Sequence, residues 1–102
     1  MGILSEIKEA VIAIEPEAEI YLFGSRARGT HSEDSDWDVL VLVPGKVDGK
    51  RKEKIWDSVY NIELANYIMT SIAVRSKEFW NNNQIYHETE FYQNLSKDMR
   101  MI

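Results

Sequence analysis

The chain has 102 residues, of which 44% are hydrophobic, and a formal net charge of −5. This composition is typical of a globular protein, and the length predicts a single domain over residues 1–102. The acid excess argues against nonspecific nucleic-acid binding. No apolar run reaches the roughly 18 residues of a membrane span, so no membrane association is expected. The lack of cysteine excludes disulfides, zinc thiolates and thiol nucleophiles. Because the N-terminus also lacks a signal-peptide pattern, a cytoplasmic location is expected.

The first half of the chain alternates helical and strand patterns. Glu15-Pro16 ends a first helix, since proline disfavours helix in the residue before it. Glu19–Phe23 (EIYLF) reads as a strand, Ser25–Gly29 as a tight turn or one short helix, and Thr30–Ser35 as a loop. Asp36–Val43 is predicted as a second strand whose last five residues are apolar on both faces, which indicates a central position. The first helix is predicted from apolar residues at helical spacing: Ile3, Leu4, Ile7, Ala10, Val11 and Ile14.

The second half of the chain continues this alternation. Lys52–Ala65 is predicted as a second long helix, and Tyr67–Val74 as a third strand. The alternation predicts an α/β (α+β) fold, with a small mixed sheet of three or more strands flanked by helices. The buried stripe of the long helix is expected to contain Ile55, Trp56, Val59, Ile62 and Leu64.

The last quarter of the chain has weaker patterns. Ser76 is predicted to cap a short helix that extends to Trp80. Asn81–Asn83 is expected to be a polar break, Thr89–Asp98 a last short helix, and Met99–Ile102 a tail.

Two aspartates stand at the head of the second strand. Asp36 and Asp38 are two positions apart, so both side chains leave the same face, with Cα atoms roughly 6.6 Å apart. Two carboxylates held together repel, and a divalent cation between them removes that cost. Oxygen ligands without cysteine point to Mg²⁺ or Mn²⁺ rather than zinc. Taken alone, an Asp-x-Asp pair is more often a solvated strand entrance than a metal site.

The turn upstream of the aspartates has the residues of a phosphate site. Gly24 permits close ligand approach, free N–H groups at the following helix start favour an anion, and the Ser25 hydroxyl can donate to a phosphate oxygen. Arg26 and Arg28 can neutralise phosphate charge, although a solvated role is an equal alternative for Arg28. Turn and strand together suit transfer to or from a nucleoside triphosphate. The chain lacks the Walker pattern and the three spaced glycines of the dinucleotide fingerprint.

The stretch FGSRARGTHSEDSDWDVLVLV resembles the signature of the DNA polymerase β-like nucleotidyltransferase superfamily. That signature is Gly-Ser, a spacer, and Asp-x-Asp before an apolar strand, and the spacer here is ten residues. The small size, together with GSRARG and SDWDVLVLV, most resembles the minimal nucleotidyltransferase (MNT) domains of prokaryotes. The specific match covers about 20 residues.

The resemblance implies roles for four of these residues. Gly24 and Ser25 would bind the triphosphate of ATP, and Asp36 and Asp38 would be the catalytic metal-holding pair for Mg²⁺. The reaction implied is the transfer of AMP to a hydroxyl acceptor. The resemblance further implies a small helical partner of the HEPN class, with this chain as antitoxin to its toxin. A homo-oligomer is left open.

The chain departs from the superfamily pattern at one point. A neighbouring strand usually supplies a third carboxylate, and the corresponding segment here, YIMTSIAV, has no acid. The nearest acids, Asp57 and Glu63, are predicted to lie on the preceding helix. Two alternatives therefore stay open: a catalytically weak nucleotide-binding module that masks a helical partner, and a nucleotide sensor assembled with a larger transferase.

Two other side chains near the motif have simpler interpretations. His31 is expected to be a solvent-exposed loop histidine rather than a proton shuttle. Trp37 is expected to face away from the aspartates and to pack under the helices.

Overall fold

The computed structural model describes residues 2–102, and Met1 lies outside the described residues. This part of the chain forms four strands and six helices, which alternate as far as β3 and are followed by three consecutive helices and a last strand. In chain order they are α1 (Ile3–Ile14), β1 (Glu19–Phe23), α2 (Ser25–Arg28), β2 (Trp37–Val43), α3 (Gly49–Asn66), β3 (Thr70–Ser76), α4 (Lys77–Asn82), α5 (Gln84–His87), α6 (Glu90–Asp98) and β4 (Arg100–Met101).

The strands form one mixed sheet in the order β3-β2-β1-β4. The central strand β2 pairs antiparallel with β1 and parallel with β3, while β4 pairs antiparallel with β1. The parallel pair is joined through α3, as a parallel crossover requires. The predicted fold class, a small mixed sheet flanked by helices, is confirmed.

Helices cover the sheet on both faces, which explains why β2 is apolar on both sides. The first face packs against α1 and α3 and receives Val39, Val41 and Val43. The second face packs against α4, α5 and α6 and receives Leu40 and Leu42. The last five residues of β2 are all at most 2% exposed, so this strand has no room for a charge beyond its first two positions.

Several boundaries differ from those predicted. Met99–Ile102 was expected to be a tail, but β4 pairs with β1, and Ile102 N donates to Ile20 O at 2.9 Å. The polar break at Asn81–Asn83 is wrong in part, because α4 extends to Asn82 and the Asn83 side chain caps α5 by accepting from Tyr86 N at 2.8 Å. A strand of two residues is too short to show a periodic pattern, so β4 cannot be recognised from the sequence.

The third strand begins later than predicted, and the helix before it is longer. Tyr67 has a left-handed conformation (φ 53°) and its N–H bonds to Glu63 O, so α3 ends there and the strand starts only at Thr70. Two residues predicted for the buried stripe of this helix are exposed, Trp56 by 45% and Leu64 by 58%. The capping role predicted for Ser76 is confirmed, since its hydroxyl accepts from Phe79 N at 3.2 Å.

Among residues 2–102, no helix combines the length and apolar character that crossing a bilayer requires.

The two-layer core predicts unequal effects along α3. Ile55 is fully buried against the first face, whereas Leu64 on the same helix is 58% exposed. We expect Ile55→Ala to lower the free energy of unfolding by about 2–5 kcal/mol. Leu64→Ala, the matched control, should change it by about 0.5 kcal/mol or less. Urea denaturation measures both, and equal losses would contradict this placement of α3.

Candidate functional site

The predicted glycine turn lies directly against one of the predicted carboxylates. Phe23, the last residue of β1, is the register partner of Asp38 on β2, and Gly24 follows at once. Gly24 has φ 74° and ψ −158°, a conformation that is almost restricted to glycine. A Cβ built on Gly24 would overlap Asp38 Oδ2 and lie 3.1 Å from its Cγ. Gly24 is therefore required twice, for the backbone conformation and for the approach to the carboxylate.

The residues after Gly24 form one short helix, which resolves the alternative left open by the sequence. Ala27 N and Arg28 N both donate to Gly24 O at 3.1 Å, and the Ala27 side chain is buried. Gly29 ends the helix in a left-handed conformation, with its N–H bonded to Ser25 O. The turn is thus fixed by its own backbone, and Ser25 is held at its start beside Gly24.

Asp36 and Asp38 form the acidic part of the site. Asp36 directly precedes β2, and Asp38 lies on the second face in the same row as Leu40 and Leu42. Partial burial raises the pKa of Asp38, the charge of Asp36 raises it further, and Arg28 acts in the opposite direction. The ionised pair is therefore undercompensated, and its oxygen donors fit a hard divalent cation.

Arg26 is hydrogen-bonded to the loop that leads into Asp36. Its Nε donates to Ser35 O at 3.1 Å, and its Nη2 donates to Glu33 O at 3.1 Å and to Ser32 O at 3.4 Å. The guanidinium also lies 4.0 Å from the centroid of the Trp37 ring. Arg26 therefore holds the 32–35 loop against the start of β2. Its role as a phosphate ligand stays a prediction.

Trp37 lies on the opposite side of β2 from Asp38, as strand alternation predicts, and is half-buried. The prediction that Trp37 packs under the helices did not include Arg26, whose guanidinium contacts one face of the Trp37 ring. His31 is exposed in the loop, as expected.

Arg28 is paired with an acid that the sequence did not suggest as part of the site. Arg28 Nη1 donates to Asp98 Oδ2 at 2.7 Å, an ion pair that joins α2 to the last residue of α6. The two residues are 70 positions apart, so no local pattern could indicate the contact. Its only sequence signal is the acid at the end of a predicted helix.

The two acids considered as a third carboxylate lie elsewhere. Asp57 and Glu63 are both on α3, which packs on the first face, and Glu63 Oε2 accepts from Thr70 N at 3.4 Å. The position opposite Asp38 on β3 is occupied by Ser71. Within residues 2–102, no group of three or more acids or histidines is placed to hold a metal ion. The site thus has two carboxylates.

Comparison with known proteins agrees with this geometry. The family described as "Nucleotidyltransferase domain" matches residues 4–96. The chain belongs to the nucleotidyltransferase family. A protein of Methanocaldococcus jannaschii named "Putative protein adenylyltransferase" is 42% identical over 77 residues, which cover 74% of this chain and 78% of that protein.

Solved structures share the fold of this nucleotidyltransferase. A toxin–antitoxin crystal structure with AMP-PNP superposes with a TM-score of 0.65 at 19% identity, covering 95% of this chain and 69% of that chain. A mutant of the toxin–antitoxin MntA-HpeT superposes with a TM-score of 0.63 at 19% identity, covering 97% and 70%. The predicted family and the predicted enzyme class, a nucleotidyltransferase, are confirmed.

The conformation of Gly24 predicts opposite effects for two glycine substitutions. Gly24→Ala should lower the free energy of unfolding by at least about 1–3 kcal/mol, because alanine is strained at this φ and its methyl meets Asp38. Gly49→Ala is the control, since a Cβ there has open space inside a helix, and it should stabilise by about 0.4–1 kcal/mol. Chemical denaturation measures both. A neutral Gly24→Ala would contradict the close approach.

The raised pKa of Asp38 predicts that its charge destabilises the metal-free fold. Stability that depends on its protonated form is present at low pH and is lost as pH rises through the raised pKa. In the presence of a chelator, Asp38→Asn should therefore have a higher Tm than the wild type at pH 7. The difference should shrink below about pH 4.

Glu15 supplies a control of opposite sign for this measurement. A hydrogen bond from Arg51 lowers the pKa of Glu15, so its ionised form stabilises the fold above its ordinary pKa. Glu15→Gln should lower the Tm at pH 7, and the loss should fade on acidification. A lower Tm for Asp38→Asn at pH 7 would show that the carboxylate pair is not under strain.

Proposed function

We propose that this nucleotidyltransferase transfers AMP from ATP to a hydroxyl group of a partner protein, in a reaction that depends on Mg²⁺ or Mn²⁺. The observation that carries the proposal is the contact between the Gly24 turn and Asp38. It brings a predicted phosphate-binding backbone against a carboxylate pair that needs a cation. The name of the 42% identical relative, which refers to a protein adenylyltransferase, supports the same reaction.

Each residue of the predicted site has a role in this proposal. Gly24 leaves room for a phosphate beside Asp38, and the Ser25 hydroxyl donates to a phosphate oxygen. Arg28 supplies positive charge close to Asp38, where it already opposes the rise in pKa. Asp36 and Asp38 would hold the divalent ion, which when bound neutralises charge on the triphosphate. Arg26 acts here by holding the loop that leads into Asp36.

The proposed transfer balances as a simple displacement. The acceptor hydroxyl oxygen forms a bond to the α-phosphorus of ATP, and the bond from that phosphorus to the bridging oxygen breaks. Pyrophosphate leaves, and the hydroxyl proton is released to water, since Ser71 stands opposite Asp38 where an acid could have accepted it. Positioning and electrostatics supply most of the catalysis in such a step.

The partner proposed is a small helical toxin of the HEPN class, for which this chain acts as antitoxin. Two solved structures that share the fold are of toxin–antitoxin proteins, one of them with AMP-PNP. Exposed apolar side chains on one side of α3 support a protein partner: Trp56, Tyr60 and Leu64 are each at least 45% exposed and recur every four residues. The single-domain assignment over residues 1–102 and the cytoplasmic location stay predictions.

The decisive test removes the carboxylate pair. Asp36→Asn combined with Asp38→Asn should abolish AMP transfer, because the metal-binding charge is lost, while the fold persists. The control is Glu17→Gln, an exposed acid in the turn between α1 and β1 that should keep full activity. Mass spectrometry of the partner, incubated with this protein, ATP and Mg²⁺, detects the added AMP. Undiminished transfer by the double variant would refute the proposal.

A second candidate function is a nucleotide-binding module that masks the helical partner without modifying it. The observation that favours it is that, among residues 2–102, no group of three or more acids or histidines is placed to hold a metal ion. Calorimetry with ATP and Mg²⁺, run beside the transfer assay, separates the two functions. Binding of ATP with no mass gain on the partner selects the masking module, and a mass gain selects the enzyme.

A further inference from the structure

A cavity of about 220 Å³ opens beside the Gly24 turn. It lies between the end of β1 and α6, on the same face of the sheet as Asp38. Two of its lining residues, Gly24 and Arg28, belong to the predicted nucleotide-binding turn. The other lining residues are Phe23, Phe91, Asn94, Leu95 and Asp98.

The lining combines aromatic surface with a few polar groups. The rings of Phe23 and Phe91 meet edge to face, with centroids 6.4 Å apart and an interplanar angle of 81°. Leu95 closes the interior side and is 3% exposed, whereas Phe91 keeps 41% of its surface exposed. Asn94, one residue before Leu95, adds an amide that can both donate and accept. Apolar and aromatic walls with a few placed polar groups are the usual chemistry of a small-molecule site.

The charged residues of the lining neutralise each other. Asp98 is paired with Arg28 at 2.7 Å, so the cavity presents no uncompensated negative charge next to the phosphate turn. The volume of this cavity is smaller than that of pockets that hold a whole drug-sized ligand, which is about 300–1,000 Å³. A cavity of this size therefore suits one part of a nucleotide, and the aromatic rings suit its flat base.

A second cavity near the site fits a nucleotide less well. It has about 320 Å³, lies beside Trp37 and includes Glu33 and Asp34 in its lining. The cation in its wall, Arg26, is already bonded to the loop carbonyls. The two acids in this lining outnumber its one cation, and the excess negative charge disfavours a ligand that carries a polyphosphate.

We propose that the cavity between β1 and α6 is the nucleobase subsite, with Phe91 packed against the base and Asn94 hydrogen-bonded to its edge. A base in this position would be attached to phosphates at Gly24 and Ser25, because the cavity and the turn share Gly24 and Arg28. This proposal rests on the proposed function, since it locates the base of the triphosphate whose AMP is transferred. An amide pairs well with adenine, which offers an acceptor and a donor on one edge.

The test compares a ligand that has a base with one that has none. Calorimetry measures the affinity of the whole chain for ATP and for inorganic tripolyphosphate, each with Mg²⁺. Phe91→Ala should weaken ATP binding roughly 5- to 150-fold, the range expected for loss of base–aromatic stacking. It should leave tripolyphosphate binding within about 2-fold, since phosphate contacts are independent of the base.

Phe79 supplies the matched control. It is 42% exposed, close to the 41% of Phe91, but lies on α4 outside this cavity. Phe79→Ala should leave both affinities unchanged. If Phe91→Ala does not fold, as judged by circular dichroism, Asn94→Ala on the exposed side of α6 provides the same comparison between the two ligands.

Each outcome decides between the two proposals. Selective loss of ATP affinity supports the base subsite. Unchanged ATP affinity, or equal losses for ATP and tripolyphosphate, overturns the subsite and leaves the proposed function standing. Failure of the wild-type chain to bind either ligand refutes the proposed function, and the subsite with it.

Discussion

Burial of β2 on both faces is the constraint on which the rest of the structure depends. From Val39 to Val43 every side chain is enclosed, alternately by α1 and α3 or by the C-terminal helices. An ionised group placed there would lose its hydration without gaining a partner. Charges can enter the strand only at its first positions, so the acids of β2 are confined to that end of the sheet. The Gly24 turn meets β2 at the same end because β1 pairs antiparallel with it.

The position of Asp38 at this end of β2 makes its ionised form unfavourable for the stability of the fold. Asp38 is half-buried beside a second acid, and both conditions disfavour its ionised form. The structure holds the pair together all the same, through the Gly24 contact on one side and the Arg26-bound loop on the other. Strained acidic sites of this kind are typical where a ligand completes the charge balance. The ionised form of Asp38 that the proposed metal site requires therefore opposes stability, whereas the ion pair of Glu15 with Arg51, at the far end of β2, stabilises the fold.

The sequence predicted the fold class, and it predicted the Gly24 turn beside the aspartates, because both depend on local patterns. The strand of unbroken apolar residues placed β2 at the centre, and the aspartate spacing placed both acids on one face. What it could not show depends on contacts between distant segments. The Arg28–Asp98 pair spans 70 positions, and β4 is too short to carry a period. The sequence indicates Arg26 through its charge alone. Its hydrogen bonds to the carbonyls of the 32–35 loop are visible only in the folded structure. Trp56 fits the helical stripe but lies at its margin, donating to Ile72 O instead of entering the core.

The ion pair between Arg28 and Asp98 changes how the C-terminal helix relates to the site. Arg28 is 49% exposed, so water and salt screen the pair, and such surface pairs contribute about 0–1 kcal/mol. Asp98 accepts from Nη1 of Arg28, and the guanidinium has further N–H groups that can donate to a phosphate oxygen while the pair is kept. In the proposed complex Arg28 would then bridge the nucleotide and Asp98, next to the anchors that Leu95 and the pairing of β4 with β1 already provide. The arrival of a nucleotide would be registered as a tightening at the last turn of α6, on the side of the molecule away from the partner-facing side proposed for α3.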